Sequence, residues 1–353
     1  MDIVVETNKF KNNVVRCGFI FKQALKATYN LRGETEMNSF VTKLSKHCYY
    51  GNITNILNCY GESINESELV LLSGALICDL RFNKSLFLGI SNEACQQGLD
   101  KIGYQLKQLD NDYCNYYSLL NNQIPVLLLI NTRVLTYNNI FLGTNRNHCI
   151  VLVKDSNKTI EISDSFVRTI PMSVFQGNID AIAIRDEIQT NRASGIYIEK
   201  QDNQKYNYSI KNALIDYLEI NSSFSVNSIL YILQTYCRLA IKNVDILFNK
   251  ESLNDLAYDI KVAGIATRFD YIANLFANHI NYSVDIETLT MLKTKWELVA
   301  SKLIKCSMTL NKDYYKKIFE MEIPILIDKE MRFYKETYEK MKSFKITGVE
   351  KND

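Results

Sequence analysis

The chain has 353 residues, a net charge of +2, 47% hydrophobic and 23% charged residues, proportions that predict a soluble globular protein with a sizeable core in one large domain or two. No long basic run and no interleaving of basic with aromatic residues points to nucleic acid as a partner. No apolar run approaches the ~18 residues of a membrane span, and the acidic, polar start lacks the features of a secretory signal. The nine cysteines show no CxxC or Cys/His ligand spacing, which predicts free thiols in the reducing cytosol rather than a disulfide frame or a metal centre.

Residues 14–27 have helical periodicity. Tyr49, Ile53, Ile56, Leu57 and Tyr60 then recur at helical spacing and predict a short amphipathic helix from Cys48 to Gly61, the glycine standing at C′. Ser63 with Glu66, or Asn65 with Glu68, forms a capping box before a second helix through Leu69, Leu72, Leu76 and Leu80. Residues 92–106 read as a third helix ending near Gly103. Residues 126–130 are a continuous apolar run of strand length, and residues 137–143 a loop or short strand. Residues 148–153 form a second apolar run, and residues 159–163 alternate as a strand should after the polar turn 155–158. Ala181–Ile184 is expected to close the sheet. The sheet signals stop near Arg185, and a polar stretch to Gln204 marks a boundary. Residues 210–219, 225–240, 253–280, 286–308 and 312–341 are helical in period. The reading is α+β: a mixed domain over 1–190 and a helical domain over 205–345.

A thiol at the start of a helix meets unsatisfied N–H groups and the positive end of the helix dipole, which can lower its pKa from about 8.5 toward ~3.5–7.5. Cys48 is therefore a candidate nucleophile. Attack by cysteine on a carbonyl needs a base, and the base needs an orienting partner. The sequence has three histidines. His148 opens one strand and Asp164 ends the next, so an antiparallel hairpin brings them side by side. Cysteine on a helix, then histidine on a central strand, then a carboxylate on the following strand is the order of papain-like cysteine enzymes. Cys149, alternating to the other face of its strand, is expected to be structural, and His279 structural or exposed.

His47-Cys48 with Asn52, Leu57, Tyr60-Gly61 and Ser67-Glu68-Leu69 resembles the opening motif of the butirosin biosynthesis protein H family. Asn147-His148 with Val151 and Val153, followed by Ile162-Ser163-Asp164-Ser165, is similar to that family's second motif. The resemblance covers residues 40–170, and the C-terminal half agrees in general character, including Trp296. It implies a papain-like cysteine protease fold with N-terminal helices, a central antiparallel sheet and an added helical domain. It also implies an acyltransferase or peptide ligase of thiotemplated, nonribosomal peptide or antibiotic biosynthesis. An acyl group would arrive as a thioester on the phosphopantetheine of an acyl or peptidyl carrier protein. It would pass to Cys48 and then to a small-molecule amine, which in some relatives is a diamine.

Carried over, Cys48 is the nucleophile, His148 the general base and acid, and Asp164 its orienter. No metal and no cofactor bound by this chain is expected, and without a GxxxxGK[ST] motif no ATP activation. Papain-like peptidases place a Gln about six residues before the cysteine as an oxyanion donor, where this chain has Thr42. The Cys48 backbone N–H donates, with Thr42, His47 or Asn38 as the second donor. His47 can alternatively act as a second cation favouring the thiolate, or point to solvent. The alternatives in function are a cysteine peptidase or amidase with the same triad, and a non-enzymatic binding module on a protease scaffold.

Overall fold

The computed structural model describes residues 39–83, 85–137, 147–156, 158–167, 172–201, 208–280 and 285–346; the periodic stretch 14–27 and most of 137–143 lie outside them. The protein is α+β, with a six-stranded antiparallel sheet and a helical C-terminal region. Along the chain the strands are β1 (Asp79–Asn83), β2 (Ser85–Gly89), β3 (Tyr104–Gln108), β4 (Val126–Asn131), β5 (Asn147–Asp155), β6 (Thr159–Val167), β7 (Ser173–Asp180) and β8 (Ser194–Lys200).

The chain divides into two compact units, Met1–Asn65 with Gly103–Gln204 and Glu66–Ile102 with Lys205–Asp353. This differs from the expected 1–190 and 205–345 division in two ways. Residues 66–102 belong with the C-terminal helices, and β8, beyond the expected end of the sheet, sits inside it.

In the first unit the sheet order is β3-β8-β4-β5-β6-β7. The even-numbered residues Leu128, Ile130, Ile150, Leu152, Ile160 and Ile162 point into a core shared with the helices Tyr113–Asn121 and Ala181–Gln189. The helix Cys48–Cys59 packs against β5 and β6. The Ser165 hydroxyl of β6 lies beside its Gly51, so this helix covers the odd-numbered face. Covering both faces explains why β4 and β5 read as unbroken apolar runs instead of alternating ones.

Pairing of Val151 with Ser163 and Leu152 with Ile162 sets the register of β5 on β6. Because side chains alternate, His148 shares the face of Ile150, and Asp164 that of Ile162. The two candidate residues therefore stand on one face of neighbouring strands, as the hairpin argument requires.

Local differences have local reasons. The helix begun at Glu66 ends at Leu72, before Gly74 in a left-handed conformation at φ +72°; the chain then forms the β1–β2 hairpin. The third helix covers Cys95–Ile102, and residues 104–108 beyond Gly103 are strand. Ala181–Ile184 is the start of a helix, not a strand: the Asp180 side chain caps it, accepting from Ile182 N–H at 2.9 Å. Four apolar residues in a row do not distinguish the two.

The second unit holds the helices Glu66–Leu72, Cys95–Ile102, Ile210–Asn221, Ile229–Lys242, Lys250–Tyr258, Thr267–His279, Ile286–Thr309 and Ile323–Ile346, with shorter turns between them. The last predicted helix widens over Ile318–Glu322, just ahead of Pro324. A proline lacks the N–H for its i−4 bond and its ring crowds that carbonyl, so a wider turn accommodates it. At the centre of this unit Arg268 and Glu330 are fully buried as an ion pair, and the Trp296 indole N–H donates to the same carboxylate. No described helix is long and apolar enough to cross a membrane.

Candidate active site

Cys48 is the first residue of its helix, preceded by His47 as N-cap. Nδ1 of His47 accepts the Tyr49 N–H at 3.3 Å, the role a Ser, Thr or Asp side chain usually fills. The carbonyl of His47 accepts Gly51 N–H at 2.9 Å. As N1 of the helix, Cys48 has a backbone N–H without an intrahelical acceptor.

Three contacts fix this helix start on the sheet. Ser45 N–H donates to the Ser165 carbonyl at 2.9 Å. Asn52 is fully buried; its Nδ2 donates to the Cys149 carbonyl at 2.8 Å and its Oδ1 accepts Ser165 N–H at 3.2 Å. At Gly51 a Cβ would stand 2.1 Å from Ser45 Cβ and 3.0 Å from Ser165 Oγ, so the close approach of these segments requires glycine.

His148 Nε2 lies 2.8 Å from Asp164 Oδ2, with the imidazole almost buried and the carboxylate fully so. Asp164 is held from two further sides: Phe166 N–H donates to Oδ1 at 2.9 Å, and the Tyr137 hydroxyl donates to Oδ2 at 2.7 Å. The Tyr137 ring stacks on Phe175 with centroids 4.1 Å apart. A buried carboxylate with this many donors is fixed in position.

The electrostatics separate Cys48 from the other thiols. Burial opposes a charge on His148, but the Asp164 and Cys48 charges, with hydrogen bonds to both, outweigh it and push the imidazole up to about 10. Cys48 is held well below the ordinary thiol value by a hydrogen bond from the Cys149 thiol, then by the charge and hydrogen bond of His148, against the opposing effect of burial. Both directions favour a thiolate on Cys48 and a proton on His148. By contrast, burial pushes the Cys78 and Cys237 thiols up to about 11 and about 12. Among the described cysteines only Cys48 and Cys114 are not buried.

His47 departs from the expectation of a second cation. Burial lowers its pKa, as does His148, against the pull of the thiolate. With Nδ1 accepting from the backbone, the neutral ring carries its proton on Nε2. That makes His47 a donor beside the nucleophile.

Thr42 does not serve as a donor there. Its hydroxyl is bonded to Gln176 Oε1 at 2.9 Å and to Ser163 Oγ at 2.7 Å, so its single proton is already engaged on β6 and β7. Asn38 lies outside the described residues. His279 pairs with Glu68 at 2.6 Å in the second unit.

Cys149 is buried on the opposite face of its strand, as expected, and that face is the one the Cys48 helix covers. Tyr137 and the clamp residue Asn52 were not assigned roles from sequence. Asn52 carried a signal, a polar residue on an otherwise apolar helix face four residues after the cysteine; Tyr137 carried none.

Among the described residues no group of three or more His, Cys, Asp or Glu is placed to hold a metal ion. Comparison with known proteins found no matching family model and no matching curated protein. A reading of the site therefore rests on its own geometry: a cysteine at a helix N-terminus, an imidazole 2.8 Å from a buried carboxylate, and backbone and imidazole N–H groups at the helix start.

Proposed function

We propose that this protein is a cysteine-dependent acyltransferase of papain-like type, with Cys48 as nucleophile, His148 as proton carrier and Asp164 as its orienter. The observation that carries this reading is the buried Asp164 carboxylate 2.8 Å from the His148 imidazole; the lowered pKa of Cys48 at a helix N-terminus and the raised pKa of His148 support it. The thiolate attacks the acyl carbon, and the Cys48 N–H, with His47 as second donor, stabilises the oxyanion. The leaving group takes the proton of His148, which afterwards accepts one from the incoming nucleophile.

Thr42 stands where peptidases of this type place a glutamine, and its hydroxyl is occupied elsewhere. A thioester needs less oxyanion stabilisation than an amide, so this departure favours a thioester donor. The resemblance to the butirosin biosynthesis protein H family gives the donor's form: an acyl group on the phosphopantetheine arm of a carrier protein, transferred to an amine to make an amide. The energy of that bond comes from the thioester.

The products decide between ligase and hydrolase. With an acyl N-acetylcysteamine thioester and a panel of amines and diamines, the expected product is an amide that forms only with active Cys48. Free acid as sole product at saturating amine would assign the protein to the hydrolases.

A further inference from the structure

The acyl-transfer mechanism uses one thiol, but a second one faces it. Cys48, partly exposed at the first turn of its helix, shares a helix face with Gly51 and Asn52, and that face lies on β5 and β6 where Cys149 is buried. The two segments that carry them are locked together: Asn52, one turn along the helix from Cys48, donates to the backbone carbonyl of Cys149 itself at 2.8 Å. No such second thiol is required for acyl transfer.

We propose that Cys48 and Cys149 form a redox modification site, in which a hydroperoxide oxidises Cys48 and Cys149 resolves the product into an intramolecular disulfide. The inference concerns the thiol pair alone and holds whichever acyl group or acceptor the enzyme uses.

The steps balance. The Cys48 thiolate attacks the distal oxygen of the hydroperoxide; the O–O bond breaks, sulfur is oxidised to the sulfenic acid, and the alcohol or water leaves with a proton from His148. The Cys149 sulfur then attacks the sulfenic sulfur. An S–S bond forms, the S–O bond breaks, and the hydroxide departs as water with the Cys149 proton. Reduction by a dithiol restores both cysteines. An accessible thiol at a helix N-terminus with a second thiol on the facing strand is the arrangement that stops oxidation at the reversible stage instead of the sulfinic acid. Chemically, the disulfide occupies the nucleophile and switches off acyl transfer while protecting it.

The test treats the full-length protein with a small excess of hydrogen peroxide, then alkylates it and maps its peptides by mass spectrometry. The expected result is a loss of two hydrogens, a linked pair of peptides containing Cys48 and Cys149, and recovery of free Cys48 with dithiothreitol. Cys114, also accessible and not part of the pair, serves as internal control and is alkylated throughout. In Cys149→Ser, Cys48 should instead gain two or three oxygens and resist dithiothreitol. Sulfinic acid at Cys48 forming at the same rate in the unmodified protein and in Cys149→Ser would overturn the proposal. So would a Cys48 that peroxide leaves untouched, or one that pairs with any other cysteine. The linked peptide is read in the unmodified protein, so the proposal stays testable even if the variant fails to fold.

Discussion

His148 Nε2 and Asp164 Oδ2 stand 2.8 Å apart on neighbouring strands, the carboxylate fully enclosed. Asp164→Asn keeps an oxygen acceptor at that place and removes its charge, which makes the imidazolium more acidic and, through it, the thiolate scarcer. Alkylation of Cys48 by iodoacetamide at neutral pH should fall about 10–100-fold, since the thiolate fraction drops tenfold each time the thiol pKa climbs by about one. Asp164→Ala additionally leaves the Phe166 N–H and the Tyr137 hydroxyl without their acceptor and should cost ~1–3 kcal/mol in urea unfolding. An Asn variant alkylated at the original rate would remove the carboxylate from the account.

His148 titrates at about 10 in the fold against 6.5 for the free group. A base whose pKa is raised on folding stabilises the fold wherever its proton stays bound there. Its contribution is therefore full below about 6.5 and is lost as pH rises through about 10. The difference in thermal midpoint between the unmodified protein and His148→Gln should be largest at the low end of that window and close toward its high end. Cys48 moves the other way, so its alkylation should persist below the ordinary thiol range and retreat toward that range in His148→Gln. A Cys48 that titrates like an ordinary thiol would contradict a thiolate held by His148.

Tyr137 shares Asp164 Oδ2 with His148. Tyr137→Phe keeps the stacking on Phe175 and deletes one hydrogen bond to a charged group, worth ~1.5–3 kcal/mol. Urea unfolding should register that loss. Cys48 alkylation should change only a few-fold, because the carboxylate charge stays; a loss as large as that of Asp164→Asn would show that Tyr137 acts on the charge rather than on position.

Gly51→Ala drives a Cβ to 2.1 Å from Ser45 Cβ. Overpacking of this kind typically costs ~1–3 kcal/mol, and here it also displaces the helix start that carries Cys48. The double variant Gly51→Ala with Ser45→Gly removes the closest contacts and should recover part of both stability and Cys48 reactivity. Equal stability of the single variant and the unmodified protein would mean that the segment before the helix is not clamped.

In the second unit, Glu330→Met leaves Arg268 charged and enclosed, a loss of ~3–5 kcal/mol expected for one half of a buried pair. Replacing both residues with Met should cost less than replacing Glu330 alone. The comparison is a urea titration of the two variants against the unmodified protein.

The placement of Cys48 at a helix start and of His148 beside Asp164 was legible because each follows a local rule. Gly61 ends a helix whose first residue is then fixed by its length, and two short apolar strands across a tight turn place the start of one beside the end of the other. Alternation assigned the side of Cys149 correctly; it gave no sign that what covers that side is the helix of Cys48, about a hundred residues earlier in the chain. Tyr137 reaches Asp164 through tertiary packing with Phe175, for which spacing gives no sign. Thr42 was named by position relative to the cysteine, but its bonds go to Ser163 and Gln176, partners more than a hundred residues away. The α+β class followed from periodicity. The placement of β8 within the sheet did not, since in Ser194–Lys200 only Ile196-Tyr197-Ile198 is apolar, too short a run between glycine and two charges to stand out from the polar stretch around it.

The central claim is that Cys48 accepts an acyl group from a thioester. The direct measurement is the intact mass of the protein after incubation with an acyl N-acetylcysteamine thioester, with the adduct located by peptide mapping and Cys48→Ala run alongside. The expected result is one acyl group on Cys48, discharged by added amine and absent from the variant. A folded protein that gains no acyl group across varied chain lengths, or gains it equally in Cys48→Ala, would contradict it.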